Sequence, residues 1–234
     1  MSYFWEKMSE KITATVEDYL GAMYVLERDG EPVVGARLAE ILGVTPSTVT
    51  NTLKRMVRDG LITMDSRHGP HLTERGDQAA MTLMHKHMLV ELMLSSLSLP
   101  WSRLHKHAHE IEHAIQGDVE AALVAAFNNP VVCPHGNPLP GHEKAVAAWI
   151  PISRAPKGAR LIVRRVHEFA EDNEDIMVFL EENRIGPGQE ITVEEVLPFN
   201  QTVKVSVSDQ VVSLGFAVAR YVYGELVPQS LKTV

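Results

Sequence analysis

Six of the chain's 11 histidines fall between His85 and His113. Histidine is the commonest neutral metal ligand. In HKHAHEIEH (105–113), helical spacing turns His105, His109, Glu112 and His113 onto one face. That face is about 12 Å long at 1.5 Å per residue, while a first-row metal reaches its ligands at about 2 Å. One ion therefore cannot serve the whole stripe, and two sites are expected. His109, Glu112 and His113 form one. His105 joins the other with His87 and Glu91, which are spaced i,i+4 on a preceding helix. Asp18, ahead of an apolar stripe, can complete the first set. His85 and His107 point elsewhere. A solvated polar face would explain one such histidine, but it explains the whole constellation poorly.

His109-Glu110-Ile111-Glu112-His113 also matches H-E-x-x-H, in which two histidines hold zinc and the Glu acts as base. The metzincin extension fails, because Gln116 stands where Gly is required. A zinc metallohydrolase remains the alternative from another functional class. Half of a di-iron carboxylate site is also present, but such sites need two Glu-x-x-His motifs.

The elements that position these residues follow from periodicity and punctuation. Helices are expected at 12–28, with Thr15 and Asp18 at its start, at 36–44, and at 45–60. The third has Thr45 as N-cap, Pro46 at the first turn and Gly60 past the end. A hairpin at 61–76 turns around Arg67-His68-Gly69-Pro70. Three short helices and a hairpin predict a winged helix-turn-helix, whose third helix enters the DNA major groove. Thr45, Ser47, Thr48, Thr50 and Asn51 would face bases or phosphates. Arg37, Lys54, Arg55, Arg58 and Arg67 would neutralise phosphates. The bland alternative is a capped surface helix with solvated basic residues. Two further helices are expected at 77–97 and 101–126, the second interrupted only by Gly117. A Pro/Gly-rich segment at 128–141 follows, and then short β-rich runs over 147–224, with one helix near 173–183, that predict a small β-barrel. Cys133 in CPHG is a candidate soft ligand or reactive thiol, though the favoured reading is a turn residue.

Composition bounds the rest. The 234 residues are 45% hydrophobic with net charge −8, which argues against a generic nucleic-acid coat and confines basic surface to one region. One cysteine excludes a disulfide framework and multi-cysteine metal centres. No apolar run suits a membrane span, and the charged start MSYFWEKMSEKITATVEDYL lacks a signal core. A cytoplasmic protein is expected.

VEDYL (16–20), STVTNTLKRMVRDGLI (47–62), LTERG (72–76), KHMLVE (86–91), HEIEH (109–113) and CPHGNPLPG (133–141) occur in that order. This series resembles the diphtheria toxin repressor family of iron- and manganese-dependent regulators. The resemblance implies a mainly α chain with a small β domain. Residues 1–76 would be a winged helix-turn-helix domain, 77–142 a helical metal-binding and dimerisation domain, and 147–226 an SH3-like, FeoA-type β-barrel. It implies a homodimer that binds divalent metal and then a palindromic double-stranded DNA operator near metal-uptake genes. The primary metal site maps to Asp18, His109, Glu112 and His113, and the ancillary site to His87, Glu91 and His105. Asp172 and Asp175 of FAEDNED (169–175) are further ancillary candidates. Iron-type members carry Met in place of Asp18 and Cys in place of His109. Manganese-type members carry Asp and Glu there, with a further Glu in place of Gly21. The hard oxygen and imidazole set favours Mn(II), then Fe(II). Met84, Leu89, Met93, Ile115 and Leu123 are candidates for the dimer seam.

Overall fold

The computed structural model describes residues 12–65 and 67–228. The first eleven residues of the start examined for a signal core lie outside the described residues. The fold is mainly α with a small β domain, and the chain divides into two compact units, residues 1–85 and 86–234.

In the first unit, α1 (Ala14–Arg28), α2 (Gly35–Ile41) and α3 (Pro46–Arg58) precede a hairpin of β1 (Ile62–Asp65) and β2 (Gly69–Leu72). The α1 stripe Val16, Leu20, Met23 and Leu26 is buried, as are Leu38 of α2 and Val49, Leu53 and Met56 of α3. The start of α1 differs from expectation: its N-cap is Thr13, with no side-chain capping bond. The α3 punctuation is as expected. The Thr45 side chain accepts from the Thr48 amide at 3.3 Å, Pro46 opens the helix and Gly60 adopts φ +70°. The antiparallel hairpin pairs Asp65 with Gly69, so Gly69 and Pro70 belong to β2 rather than to the turn.

A long helix, α4 (Glu74–Ser96), starts earlier than expected and runs across the boundary at residue 85. In the second unit the expected helix 101–126 is broken. A 3₁₀ turn at Trp101–Arg103 leads to α5 (Leu104–Ile111), then a second 3₁₀ turn at Glu112–Ala114, extended Ile115, and α6 (Asp118–Ala126). Gly117 at φ +54° is only the last part of that break. Val90 and Leu94 pack with Leu104, Ala108 and Ile115. Leu89 and Ile115 are therefore core residues, unavailable to a second copy. By contrast, α6 buries none of its residues.

The remainder is a six-stranded antiparallel sheet in the order β3-β8-β4-β5-β6-β7. Its strands are β3 (Ile150–Pro151), β4 (Arg160–Val166), β5 (Glu190–Leu197), β6 (Thr202–Val207), β7 (Gln210–Gly215) and β8 (Val222–Leu226). Two short helices, α7 (Glu168–Glu171) and α8 (Glu174–Glu182), follow β4, and α9 (Phe216–Ala219) precedes β8. Alternating residues such as Leu161, Val163, Val203 and Val205 form its core. Among the described residues no helix is long and apolar enough to cross a membrane.

Candidate metal centre

α4 presents His87 and Glu91 one turn apart, and both are buried. His87 faces two ways. Its Nδ1 lies 2.6 Å from Glu112 Oε2, while its Nε2 lies 3.2 Å from Glu91 Oε1 and 3.0 Å from His105 Nδ1. The break after α5 turns Glu112 inward to 2% exposure, with Oε1 3.3 Å from His109 Nδ1 and 3.8 Å from His113 Nε2. The expected ancillary trio of His87, Glu91 and His105 is thus brought together. Glu112 and His109 gather on the other side of His87.

Asp172 Oδ1 lies 3.0 Å from His105 Nε2, but Asp175 enters no candidate group among the described residues. The carboxylate that turns inward from FAEDNED is Glu171, which the sequence reading missed. Its Oε2 lies 3.0 Å from His105 Nδ1 and 3.4 Å from His135 Nδ1. His167 caps α7 through the Phe169 amide, and the i,i+3 spacing then buries Glu168 and Glu171 together. That spacing behind a capping residue is the signal that could have found Glu171.

Cys133, expected as a turn residue, lies instead beside His135 at the site. Both are buried, and their ligand atoms stand with a Glu91 oxygen within 4.8 Å of one another. His87, Glu91, His105 and Glu171 form a second such group, and His87, His109 and Glu112 a third.

The charges oppose one another at close range. Burial and the neighbouring His105 both oppose the His87 imidazolium, yet the hydrogen bonds to Glu112 and Glu91 prevail and raise its pKa to about 9. His135 also reaches about 9, because Glu171 and Glu91 outweigh its burial. His105 is pushed well up by Asp172, Glu171 and Glu91 against the same burial cost. Glu112 falls to about 2, since His109 and His87 overcome desolvation. Burial and the charges of Glu91 and Glu171 drive the Cys133 thiol well up.

Among the described residues, buried Glu91 Oε2 and His135 Nδ1 have no hydrogen-bond partner. The histidine nitrogen is 3.2 Å from Glu91 Oε1, but not in hydrogen-bonding geometry. Buried polar atoms without partners are costly. Imidazole, carboxylate and thiol groups converging on them fit a divalent first-row cation.

In the first unit, Asn51 and Lys54 are exposed along α3, beside Ser47, Thr48 and Thr50. Thr45 Oγ1 engages the hydroxyls of Ser47 and Thr48, and Thr50 bonds the Pro46 carbonyl. Arg55 reaches Thr13 Oγ1 at 3.2 Å, and Arg37 pairs with Glu40 at 2.8 Å. Arg67 is exposed on the wing.

Comparison with known proteins gives these features a context. Residues 11–69 match the iron dependent repressor N-terminal DNA-binding domain, residues 73–141 the iron dependent repressor metal-binding and dimerisation domain, and residues 150–226 the FeoA domain. The iron-dependent repressor IdeR of Mycobacterium leprae is 34% identical over 77% of this chain and 84% of its own. The diphtheria toxin repressor of Corynebacterium jeikeium is 32% identical over 82% of this chain and 75% of its own. The structure of the manganese regulator SloR superposes with TM-score 0.76 at 26% identity, covering 92% of this chain and all of that one. With a helix-turn-helix unit ahead of clustered imidazoles and carboxylates, the chain belongs to the diphtheria toxin repressor family of metal-dependent DNA-binding repressors.

Proposed function

We propose that this repressor responds to Mn(II), with Fe(II) as the alternative effector, and controls metal-uptake genes from a palindromic operator in the cytoplasm. The observation that carries the reading is His87, whose two ring nitrogens face Glu112 on one side and Glu91 with His105 on the other. His109, Glu112 and His113 would hold the primary ion. His87, Glu91 and His105, with Glu171 and Asp172, would hold the ancillary one, beside Cys133 and His135. The assignment of Asp18 to the primary ion, and of residues 1–76, 77–142 and 147–226 to three domains, rests on the resemblance of the sequence to the family. Asp175 is retained as an ancillary candidate on the same basis alone.

A divalent cation supplies the positive charge on which these carboxylates and imidazoles can converge without repelling one another. The chain's own groups do the rest. Glu112 accepts from His87, and α5 carries His109 and His105 on successive turns. Asn51 of α3 reads a base edge, the hydroxyls of Thr45, Ser47, Thr48 and Thr50 contact bases or backbone, and Lys54 and Arg55 of α3, Arg37 of α2 and Arg67 of the wing face phosphates. The exposed helix α6, with Val119 46% exposed and Leu123 only partly buried against the core of Val90 and Leu104, supports a homodimer seam there. Imidazole and carboxylate donors at the primary set favour manganese. The iron-dependent names of the curated relatives favour the alternative.

The zinc metallohydrolase reading has an observation against it. In H-E-x-x-H chemistry the Glu after the first His acts as base beside the ion, whereas Glu110 is exposed and faces His107 Nδ1 at 3.4 Å.

Mobility-shift selection from a random-sequence DNA pool, with the bound fraction sequenced, at buffered free Mn(II) or Fe(II), tests the reading. Selective enrichment of one palindrome only with metal is expected. Equal DNA binding with and without chelator would refute it. Free-ion levels must be buffered because zinc and copper bind such donors more tightly whatever their role.

A further inference from the structure

The loop carrying Cys133 and His135 is fastened to β4. Gly136, at φ +87°, leaves no room for a Cβ, which would stand 1.8 Å from the Arg164 carbonyl oxygen. The Val166 amide donates to the His135 carbonyl at 2.8 Å. β4 shifts register between Val163 and Arg165, and both Arg165 and Val166 are buried. A bulge of this kind re-aims side chains. Here it accompanies a buried guanidinium, which lies 5.1 Å from the Tyr223 ring centroid and donates from Nη2 to Glu168 at 2.9 Å.

Asn137, fully buried, stands between that guanidinium and the candidate ion site. Arg165 Nε donates to Asn137 Oδ1 at 2.5 Å. Arginine has no acceptor, so the amide oxygen must face Arg165 and the amide nitrogen must face the other way. That nitrogen donates to the Val166 carbonyl at 2.8 Å and to Glu171 Oε1. The other carboxylate oxygen, Oε2, is the one that faces His105 and His135. A carboxylate fixed by one oxygen presents the second at a set angle.

We propose that Asn137 is the positioning residue for Glu171, with Arg165 setting the amide's orientation, so that the β-sheet region contributes a correctly aimed carboxylate to the ancillary ion. The proposal rests on the metal-binding reading above. It assigns a role to a loop residue that offers no ligand of its own. Ligating carboxylates are generally held by such outer hydrogen bonds, and losing one typically costs about 10–100-fold in metal affinity.

The test is a double-substitution cycle on the full chain, with Mn(II) titrated calorimetrically in the absence of DNA. Asn137→Ser removes the clamp without adding charge, and Asn137→Asp places a second carboxylate against Glu171. Each is expected to weaken the binding step that Glu171→Gln also weakens, by about 10–100-fold. In the Glu171→Gln background, Asn137→Ser should have no further effect, because the clamp acts only through that carboxylate. Wild-type affinity in Asn137→Ser, or a full additional loss in the double variant, would overturn the proposal. If Asn137→Asp does not fold, the Asn137→Ser cycle decides alone. A wild-type protein that binds no Mn(II) would instead refute the metal reading itself, an outcome distinct from wild-type binding that Asn137→Ser leaves intact.

Discussion

Glu112→Gln should abolish metal-triggered operator binding, with a loss of about 100-fold or more at fixed free Mn(II). Losing a supporting group of a metal ligand already costs about 10–100-fold, and Glu112 is proposed as a ligand itself. Its carboxylate is 2% exposed and meets His87 at 2.6 Å and His109 at 3.3 Å. The amide keeps the shape but removes the charge. It also leaves the His87 imidazolium with fewer buried anions, and breaking a buried pair from one side costs about 3–5 kcal/mol. Metal-free Glu112→Gln should therefore melt earlier as well. Anisotropy with and without Mn(II), beside thermal melts followed by circular dichroism, separates the two effects. A variant that melts early yet retains full metal-dependent DNA affinity would leave Glu112 a structural partner only.

Proton competition gives the second large effect. Metal binding needs neutral imidazole, yet His87 and His135 hold their protons up to about 9 in the metal-free fold. Each proton displaced makes apparent affinity rise tenfold per pH unit below that pKa. If both histidines ligate, they contribute about two log units per pH unit between 7 and 8, and His105, whose pKa is also raised, steepens the slope further. Metal-free stability runs the other way. A histidine raised from 6.5 to about 9 stabilises the fold fully below 6.5, and that contribution is lost as pH rises through 9. Glu112, lowered from 4.5 to about 2, stabilises above 4.5 and loses its contribution as pH falls through 2. Titration calorimetry in buffers of different ionisation heat counts the protons released. A pH-independent affinity from 7 to 9 would show that these imidazoles do not bind the ion.

Local signals were legible in the sequence, and long-range ones were not. The α3 boundaries follow from Thr45, Pro46 and Gly60, each acting within a few residues. His87 and Glu91 were also recognisable, because their i,i+4 spacing fixes a shared face of α4 whatever surrounds it, and His105 has the same relation to His109 on α5. The break after Ile111 had no such signal. No proline marks it, and the 3₁₀ turn there sets Glu112 against His87, 25 residues away. Tertiary pairing of this kind overrides helical periodicity. Glu171 was hidden among neighbouring acids, because composition cannot tell which carboxylate turns inward; the His167 cap and the β4 bulge do that. The CPHGNPLPG segment had the composition of a linker, while its actual role depends on Gly136 lying against Arg164.

Reciprocal affinity tests the account at its centre. If ion and operator binding are coupled, metal must raise DNA affinity by the same factor by which DNA raises metal affinity, and such coupling is typically about 1–3 kcal/mol, or 5–150-fold. Mn(II) affinity should be measured on the full chain with and without saturating operator DNA, alongside operator affinity with and without Mn(II). The account predicts two equal factors well above one. Metal affinity unmoved by the operator would contradict it.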